Sequence, residues 1–430
     1  MDMFTEYLDP IKALPFEVVE IIFGLLGMHD LLICLSVSKS WRNLLKSMSS
    51  IWTLMIANDE YLPINLKILK TYLSLSNNNI NCALVNLRLF KDESIARFLL
   101  ESCHELQDLR ISGEGKFTSF HAASLAIASG IQKLHFSPRT EVTVHTMVSS
   151  LEACKNTIVD AKFEHLNSPY TQLKYTWPKL NALTSIHLAS RSVCELELPG
   201  LIVAAPNIRS FVFYRGRLWG NSRLDMTQWS NLETLDFKNT HVLIFPKLPP
   251  SLKHLILDES FSPKHMRRMD EVIYSLPLLE TLSLQRNDIE VSTIWEITRS
   301  CIQANKLKTL LCGKFDCDSP HETPVHEYLP PSSTLEELLL ELAPINDEDI
   351  LAIIKLYPNL KKINLSQTRV TQISIDALVK AGVKSINLDG CLKVPTRFVA
   401  MAREEGVNIS METMNGLYPI GDYITKQVYY

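Results

Sequence analysis

No Cys-x-x-Cys pair occurs in this 430-residue chain, which excludes the zinc modules whose ligands come in such pairs. A glycine-rich phosphate loop, a Gly-x-Ser-x-Gly elbow and a His-Glu-x-x-His pair are missing too, so nothing points to catalysis or to a cofactor. The longest uncharged apolar run near the N-terminus, from Ile21 to Met28, is far too short to span a bilayer. No basic n-region precedes it: a lone Lys12 stands among Asp2, Glu6, Asp9 and Glu17. The final KQVYY holds no prenylation cysteine. A net charge of −4 is too small to imply nucleic acid or a membrane surface. The nine cysteines follow no framework of short, even spacings, which predicts reduced thiols and a soluble protein of the nucleus or cytoplasm.

What is present is apolar content of 46% against 21% charge, the composition of a folded chain. One core would be overgrown at this length, so several domains or a repeat are expected. The repeat is legible. An L-x-x-L-x-L pattern, other apolar residues allowed, runs through LVNLRL from Leu84, LQDLRI from Leu106, IQKLHF from Ile131, a weak IVDAKF from Ile158, and LTSIHL from Leu183. It continues in IRSFVF, LETLDF, LKHLIL, LETLSL, LKTLLC, LEELLL, LKKINL and, from Val383, VKSINL. The mean interval is about 25 residues, within the range of leucine-rich repeats. Between copies the apolar period changes towards 3.6, at Ile289, Val291, Ile294 and Ile297, at Ile350, Ile353 and Ile354, and at Ile375 and Leu378. Each such stretch predicts a helix, and proline before several strands ends it. The chain resembles the leucine-rich repeats in a degenerate form: Cys391 in INLDGC and Asn287 in LSLQRN stand where that family carries its Asn or Cys, and most copies lack it.

The opening stretch lacks the repeat. Pro15 is expected to open a helix carrying Val18, Ile21, Ile22 and Leu25, Asp30 to cap Leu31–Ser36, and Ser38 to cap a helix with Trp41, Leu44 and Leu45. About forty residues at this apolar density make a marginal domain alone, so leftover apolar surface is a candidate interface. The residues Leu14, Pro15, Glu17, Val18, Ile22, Phe23 and Leu26, then Asp30, Leu31, Leu32, Cys34, Val37, Ser38, Lys39, Trp41, Arg42, Leu44, Ile51 and Trp52, resemble the F-box, with Ser38 where the family often has Cys. The resemblance implies an α/β protein: a small all-helical F-box domain, then a leucine-rich-repeat solenoid with parallel strands on the concave face and helices on the convex face. It also implies the substrate-recognition subunit of a ubiquitin ligase, non-catalytic itself, binding the Skp1 adaptor and through it a cullin–RING module while the repeats recruit a protein substrate. Leu14, Pro15, Glu17, Val18, Ile22, Phe23, Leu26, Leu31 and Trp41 would form the Skp1 contact, with Leu31, Leu32, Val37 and Trp41 partly packing the helices together. The expected divisions are a lead at 1–13, the F-box at 14–52, a helical cap at 53–81, the solenoid at 82–403 and a tail at 404–430. Alternative roles are a Skp1-bound structural protein outside the ligase and an interaction scaffold whose cap imitates the box.

Cargo is expected on the strand face. Fifth positions of the early copies supply Arg88, Arg110, His135, Lys162 and His187, with Lys133 adjacent, a basic column suited to an acidic or phosphorylated segment. Asp108, Asp160 and Glu164 partly balance it, and solvated charge is the competing reading. Tyr214, Arg215, Arg217 and Trp219 in YRGRLW, just past a strand, add residue types common at hot spots. Later fifth positions, Val212, Ile256, Leu311 and Leu339, are apolar, and the tyrosine-rich tail is expected to fold back over Leu311 and Leu339. KHMRRM from Lys264 reads as an exposed helix start. Cys312, Cys317, His321 and His326 fall within fifteen residues, but too loosely for the usual zinc spacing, so a loop insertion and no metal are expected. Nucleic-acid binding is not expected, given the acidic balance and the lack of a basic tail.

Overall fold

The computed structural model describes residues 10–57, 65–167, 175–218, 224–242, 246–260, 276–286, 299, 301–302, 306–313, 325–327 and 329–411. Contacts divide the chain into the units Met1–Arg217 and Leu218–Tyr430. Both are mixed α/β, and each carries a solenoid-like parallel ladder.

The first unit opens with helices α1 (Pro10–Ala13), α2 (Phe16–Gly24), α3 (Met28–Val37) and α4 (Lys39–Ser47). Pro15 stands just before α2, and its carbonyl accepts from the N–H groups of Val18 and Val19, both at 3.1 Å. Ser38 caps α4, its Oγ accepting from the Trp41 N–H at 3.1 Å. Asp30 is not the cap of α3. The helix starts three residues earlier, at the buried Met28, and Gly27 takes the cap. Asp30 then sits in the first turn, where a carboxylate suits the helix dipole.

The strands of this unit are β1 (Leu54–Ala57), β2 (Cys82–Asn86), β3 (Asp108–Ser112), β4 (Gly115–Phe117), β5 (Lys133–Phe136), β6 (Thr140–Thr143), β7 (Asp160–Asn167), β8 (Ser185–Leu196) and β9 (Ser210–Leu218). The pairs β1–β2, β2–β3, β3–β5, β5–β7 and β7–β8 are all parallel, while β4 and β6 form a side ladder that joins β7. The spacing of apolar residues explains the core. Leu106, Leu109 and Ile111, then Ile131, Leu134 and Phe136, then Ile158, Ala161 and Phe163, are each at most 1% exposed. Backbone bonds lock one repeat onto the next. The Asn81 carbonyl accepts from Gln107 and Asp108, that of Gln107 from Gln132 and Lys133, and that of Gln132 from Val159 and Asp160.

Two readings of the sequence change here. LVNLRL is not the first copy. The register pairs Ala83 with Leu109 and Leu84 with Arg110, so the true copy is INCALV from Ile80. Its alanine hid it, while Leu87 and Leu89 mimicked it from the turn and short helix that follow. The second change lies in 53–81: besides helix α5 (Leu66–Leu75), this segment contributes strand β1.

The second unit contains β10 (Thr234–Asp236), β11 (His241–Val242), β12 (His254–Ile256), β13 (Thr281–Ser283), β14 (Thr309–Leu311), β15 (Glu337–Leu339), β16 (Lys362–Asn364), β17 (Ser385–Asn387) and β18 (Asn408–Ser410). From β10 through β12 to β18 they pair in parallel, each apolar central residue opposite the next. β18 lies within the segment read as tail. Helices Asp347–Leu356 and Gln372–Lys380 bury Ile350 and Ile353, and Ile375 and Leu378, as the 3.6 period requires. The helix expected around Ile289–Ile297 lies outside the described residues.

The turns after β10, β12, β13, β15, β16 and β17 share one backbone form. The eighth residue of the repeat is left-handed: Asn239, Glu259, Arg286, Leu342, Gln367 and Gly390 have φ between 52° and 74°. Among the described copies the ninth residue, Thr240, Ser260, Ala343, Thr368 or Cys391, is buried. Cys391 donates its S–H to the Leu365 carbonyl at 2.9 Å, and Thr368 donates to the same oxygen at 2.7 Å. Ser260 donates to the Phe237 carbonyl. In these three copies a small hydroxyl or thiol supplies the buried donor, while the β15 copy has Ala343 at that place, so a search for Asn or Cys alone misses most copies. Asn287 lies outside the described residues.

Candidate functional site

Helix α2 has two apolar faces. Val19 and Phe23, at i and i+4, point into the head, where Phe23 is 4% exposed and meets the Trp41 ring edge-on at 5.6 Å. Val18, Ile21, Ile22 and Leu25, spaced at i, i+3, i+4 and i+7, share the other face, and Leu14 is exposed just before the helix. Ile21 is 65% exposed and Leu25 77%. Phe16 on the same helix, and Ile33 and Val37 on α3, are also exposed. An apolar cluster of this size left in water marks an interaction surface.

The structure sorts the residues expected at the adaptor contact. Leu14, Pro15, Glu17, Val18 and Ile22 are exposed; Leu26 and Trp41 are half-buried. Phe23 and Leu31 are buried within the head, so they hold its helices together and present no surface for docking. Val37, expected to pack inside, is exposed instead. Phe16, Ile21, Leu25 and Ile33 were not expected at the contact. Projecting the sequence onto a helical wheel would have found Ile21 and Leu25.

On the strand face of the first unit, Arg110, His135, Lys162 and His187 stand in register, one per strand. Arg88 does not join them: it begins the short helix Arg88–Lys91, and its place in the column belongs to Leu84. The column is internally paired. Asp108 accepts two hydrogen bonds from Arg110, at 3.1 and 2.8 Å. His135 Nε2 lies 3.0 Å from Asp160, and Lys162 Nζ 2.7 Å from Glu164. Lys133 sits one column over, between Asp108 and Asp160. Burial works to raise the Asp160 pKa, but hydrogen bonds from His135 and Ser185 outweigh it and hold the carboxyl below its ordinary value. Burial, reinforced by Lys162, holds the His187 pKa down. The face is thus a checkerboard of charge with a neutral imidazole, not a run of free cations.

Tyr214, Arg215 and Arg217 lie within β9, not past a strand; the Tyr214 ring meets His187 edge-on at 5.1 Å, and Arg215 is exposed. Gly216 is required between them, because a Cβ there would fall 2.0 Å from the Phe213 ring. Trp219 lies outside the described residues, as do KHMRRM and the segment past 411. In the second unit, buried Ser283 separates Ile256 from Leu311, so the apolar column shrinks to the half-buried neighbours Leu311 and Leu339. Cys312 is buried, and His326 Nδ1 lies 3.0 Å from Asp349 Oδ1; Cys317 and His321 lie outside the described residues. Among the described residues no group of His, Cys, Asp or Glu could hold a metal, and no helix is long and apolar enough to cross a membrane.

Comparison with known proteins places one part of this chain. Residues 11–53 match the family described as F-box domain, so the head is an F-box domain. No curated protein matches the chain. Among solved structures, a chain of the Rad7 and Elc1 complex in yeast is similar at 13% identity and a TM-score of 0.44, covering 92% of this chain and 90% of that one. A chain of the TLR13–ssRNA13 complex is similar at 13% identity and a TM-score of 0.38, covering 80% of this chain and 58% of that one.

Proposed function

We propose that this protein is the substrate receptor of a Skp1–cullin–RING ubiquitin ligase. The F-box docks on Skp1 through the outer face of α2, with Leu14, Pro15, Glu17, Val18 and Ile22 in the contact and Ile21 and Leu25 at its centre. The repeats are a degenerate form of the leucine-rich class and hold a protein cargo on their strand faces. Tethering is the whole mechanism: cargo held beside a charged conjugating enzyme sees it at high effective concentration, and no residue of this chain does bond chemistry. The protein works in the cytoplasm or nucleus.

One observation carries the reading: the same short helix buries Val19 and Phe23 and leaves a full apolar stripe uncovered. An F-box that only capped the array would have that stripe covered. Arg110, His135 and Lys162 already hold acidic partners, so an acidic or phosphorylated segment would have to displace Asp108, Asp160 and Glu164 to bind there.

The test is reconstitution. The full chain, mixed with purified Skp1, is expected to co-elute as a one-to-one complex. With cullin, RING subunit and conjugating enzyme added, that complex is expected to support ubiquitin transfer to a co-purifying protein. No co-elution overturns the docking; co-elution without transfer to any bound protein overturns the ligase role and leaves a Skp1-bound structural subunit.

A further inference from the structure

The head ends where the ladder begins, and the two share their residues. A 3-10 turn, Ser49–Trp52, follows α4, and β1 starts at Leu54 with no linker between. Continuing the β1–β2 register two residues back sets Trp52 opposite Ile80, Leu106 and Ile131, the first core position of each repeat. All four side chains are at most 1% exposed. The backbone agrees. The Thr53 carbonyl accepts from Asn81 and Cys82, the same clamp that Asn81 makes on Gln107 and Asp108. The last tryptophan of the F-box is therefore the first rung of the array.

That tryptophan is bonded in both directions. Its Nε1–H donates to the Leu45 carbonyl at the end of α4, at 2.8 Å. Its ring meets Tyr72 of α5 edge-on at 5.3 Å, and the Tyr72 hydroxyl donates to the Leu54 carbonyl of β1 at 2.9 Å. Gly27, which caps α3, comes close to β1: a Cβ there would lie 3.6 Å from the Ile56 carbonyl.

We infer that Trp52 is a positioning residue that fuses the F-box and the first rungs into one rigid body, so that an adaptor seated on α2 also fixes the direction in which the strand face of this unit presents cargo. The functional half of this inference rests on the receptor reading above; the mechanical half does not. A chain with a hinge between box and array would let cargo wander relative to the conjugating enzyme. Here the hinge position is occupied by a buried indole that both sides need.

The experiment uses the free full-length chain. Spin labels on unnatural amino acids at the exposed positions Asn43 and Gln132 report the head-to-ladder distance without touching the native cysteines. The wild type is expected to give one narrow distance distribution, Trp52→Phe to keep it narrow, and Trp52→Ala to broaden it while hydrogen exchange at β5 and β7 stays protected. A broad or multiple distribution in the wild type overturns the inference, as does a Trp52→Ala chain that melts earlier yet stays as narrow as the wild type. Should Trp52→Ala fail to fold, the wild-type and Trp52→Phe distributions still decide. Because no Skp1 is present, failure of adaptor docking would leave these distributions unmoved, and the two ideas fail separately.

Discussion

Replacing Leu25 by aspartate separates docking from folding. Leu25 is 77% exposed in the free chain, so the substitution is expected to change stability by no more than about 0.5 kcal/mol, as surface changes do. In a complex that covers α2 the same position would be dry. Burying a leucine is worth about 1.5–3 kcal/mol, and roughly three-quarters of that is still to be gained here, or about 1–2 kcal/mol. A carboxylate adds the desolvation of a charge, at least about another 1–2 kcal/mol even with partial solvation. The sum predicts a Kd for Skp1 raised about 100-fold, since each 1.4 kcal/mol is tenfold. Phe23→Ala, two residues back on the buried side of the helix, is the counterpart: it empties a site against Trp41 and is expected to cost about 3–5 kcal/mol of head stability. Calorimetric titration with Skp1, run beside thermal melts of each variant, measures both quantities. Wild-type affinity in a normally folded Leu25→Asp chain would refute the reasoning, because it would show that the uncovered stripe is not where the adaptor sits.

Cys391→Ala is expected to cost about 1 kcal/mol through loss of its S–H bond to the Leu365 carbonyl, and Cys391→Ser to recover most of it; equal costs in urea unfolding would refute the donor role. Asp347 accepts hydrogen bonds from the Thr371 N–H at 2.8 Å and its hydroxyl at 2.7 Å, and from the Ser374 hydroxyl. Burial works to raise its pKa, but these bonds hold it below the ordinary carboxylate value, so its contribution is present at neutral pH and lost as pH falls through about 4 and below. The melting-temperature gap between wild type and Asp347→Asn is therefore expected to be constant above about pH 5 and to shrink in acid. In the second unit, the second positions Glu233, Lys253, Glu280, Lys308, Glu336 and Lys361 alternate in sign, with pairs at 3.2, 2.8 and 2.9 Å. Lys308→Glu places three like charges in a row, and is expected to lower the melting temperature by an amount that added salt largely restores.

What the sequence could reveal follows from the range of each signal. The leucine spacing is local, and it locates the β3 copy at Leu106 and the β17 copy at Val383 without help from the fold. It failed at INCALV because an alanine does the work of a leucine where the neighbouring rung supplies the bulk, and a nearby leucine-rich turn offered a better match to the same pattern. The ninth-position donor failed for a related reason: the fold asks for a buried donor to a carbonyl, and Thr368 or Ser260 meets that as Cys391 does. The basic column illustrates the larger gap. Arg110 and Asp108 are two residues apart and visible as a pair, whereas His135 and Asp160 are 25 apart and meet only because the strands stack in register. A charge count along one column sees cations, whereas Arg110, His135 and Lys162 each hold an acidic neighbour, and for His135 only the ladder shows it. The head is the converse case. Its residue types identify the box, but Phe23 and Ile22 are adjacent apolar residues on one helix, and nothing in their identity says which is core and which is interface. The neighbours decide: Trp41 closes over Phe23, and no described residue closes over Ile21 or Leu25. A surface that the rest of the chain could have covered and did not is the feature that a partner must explain.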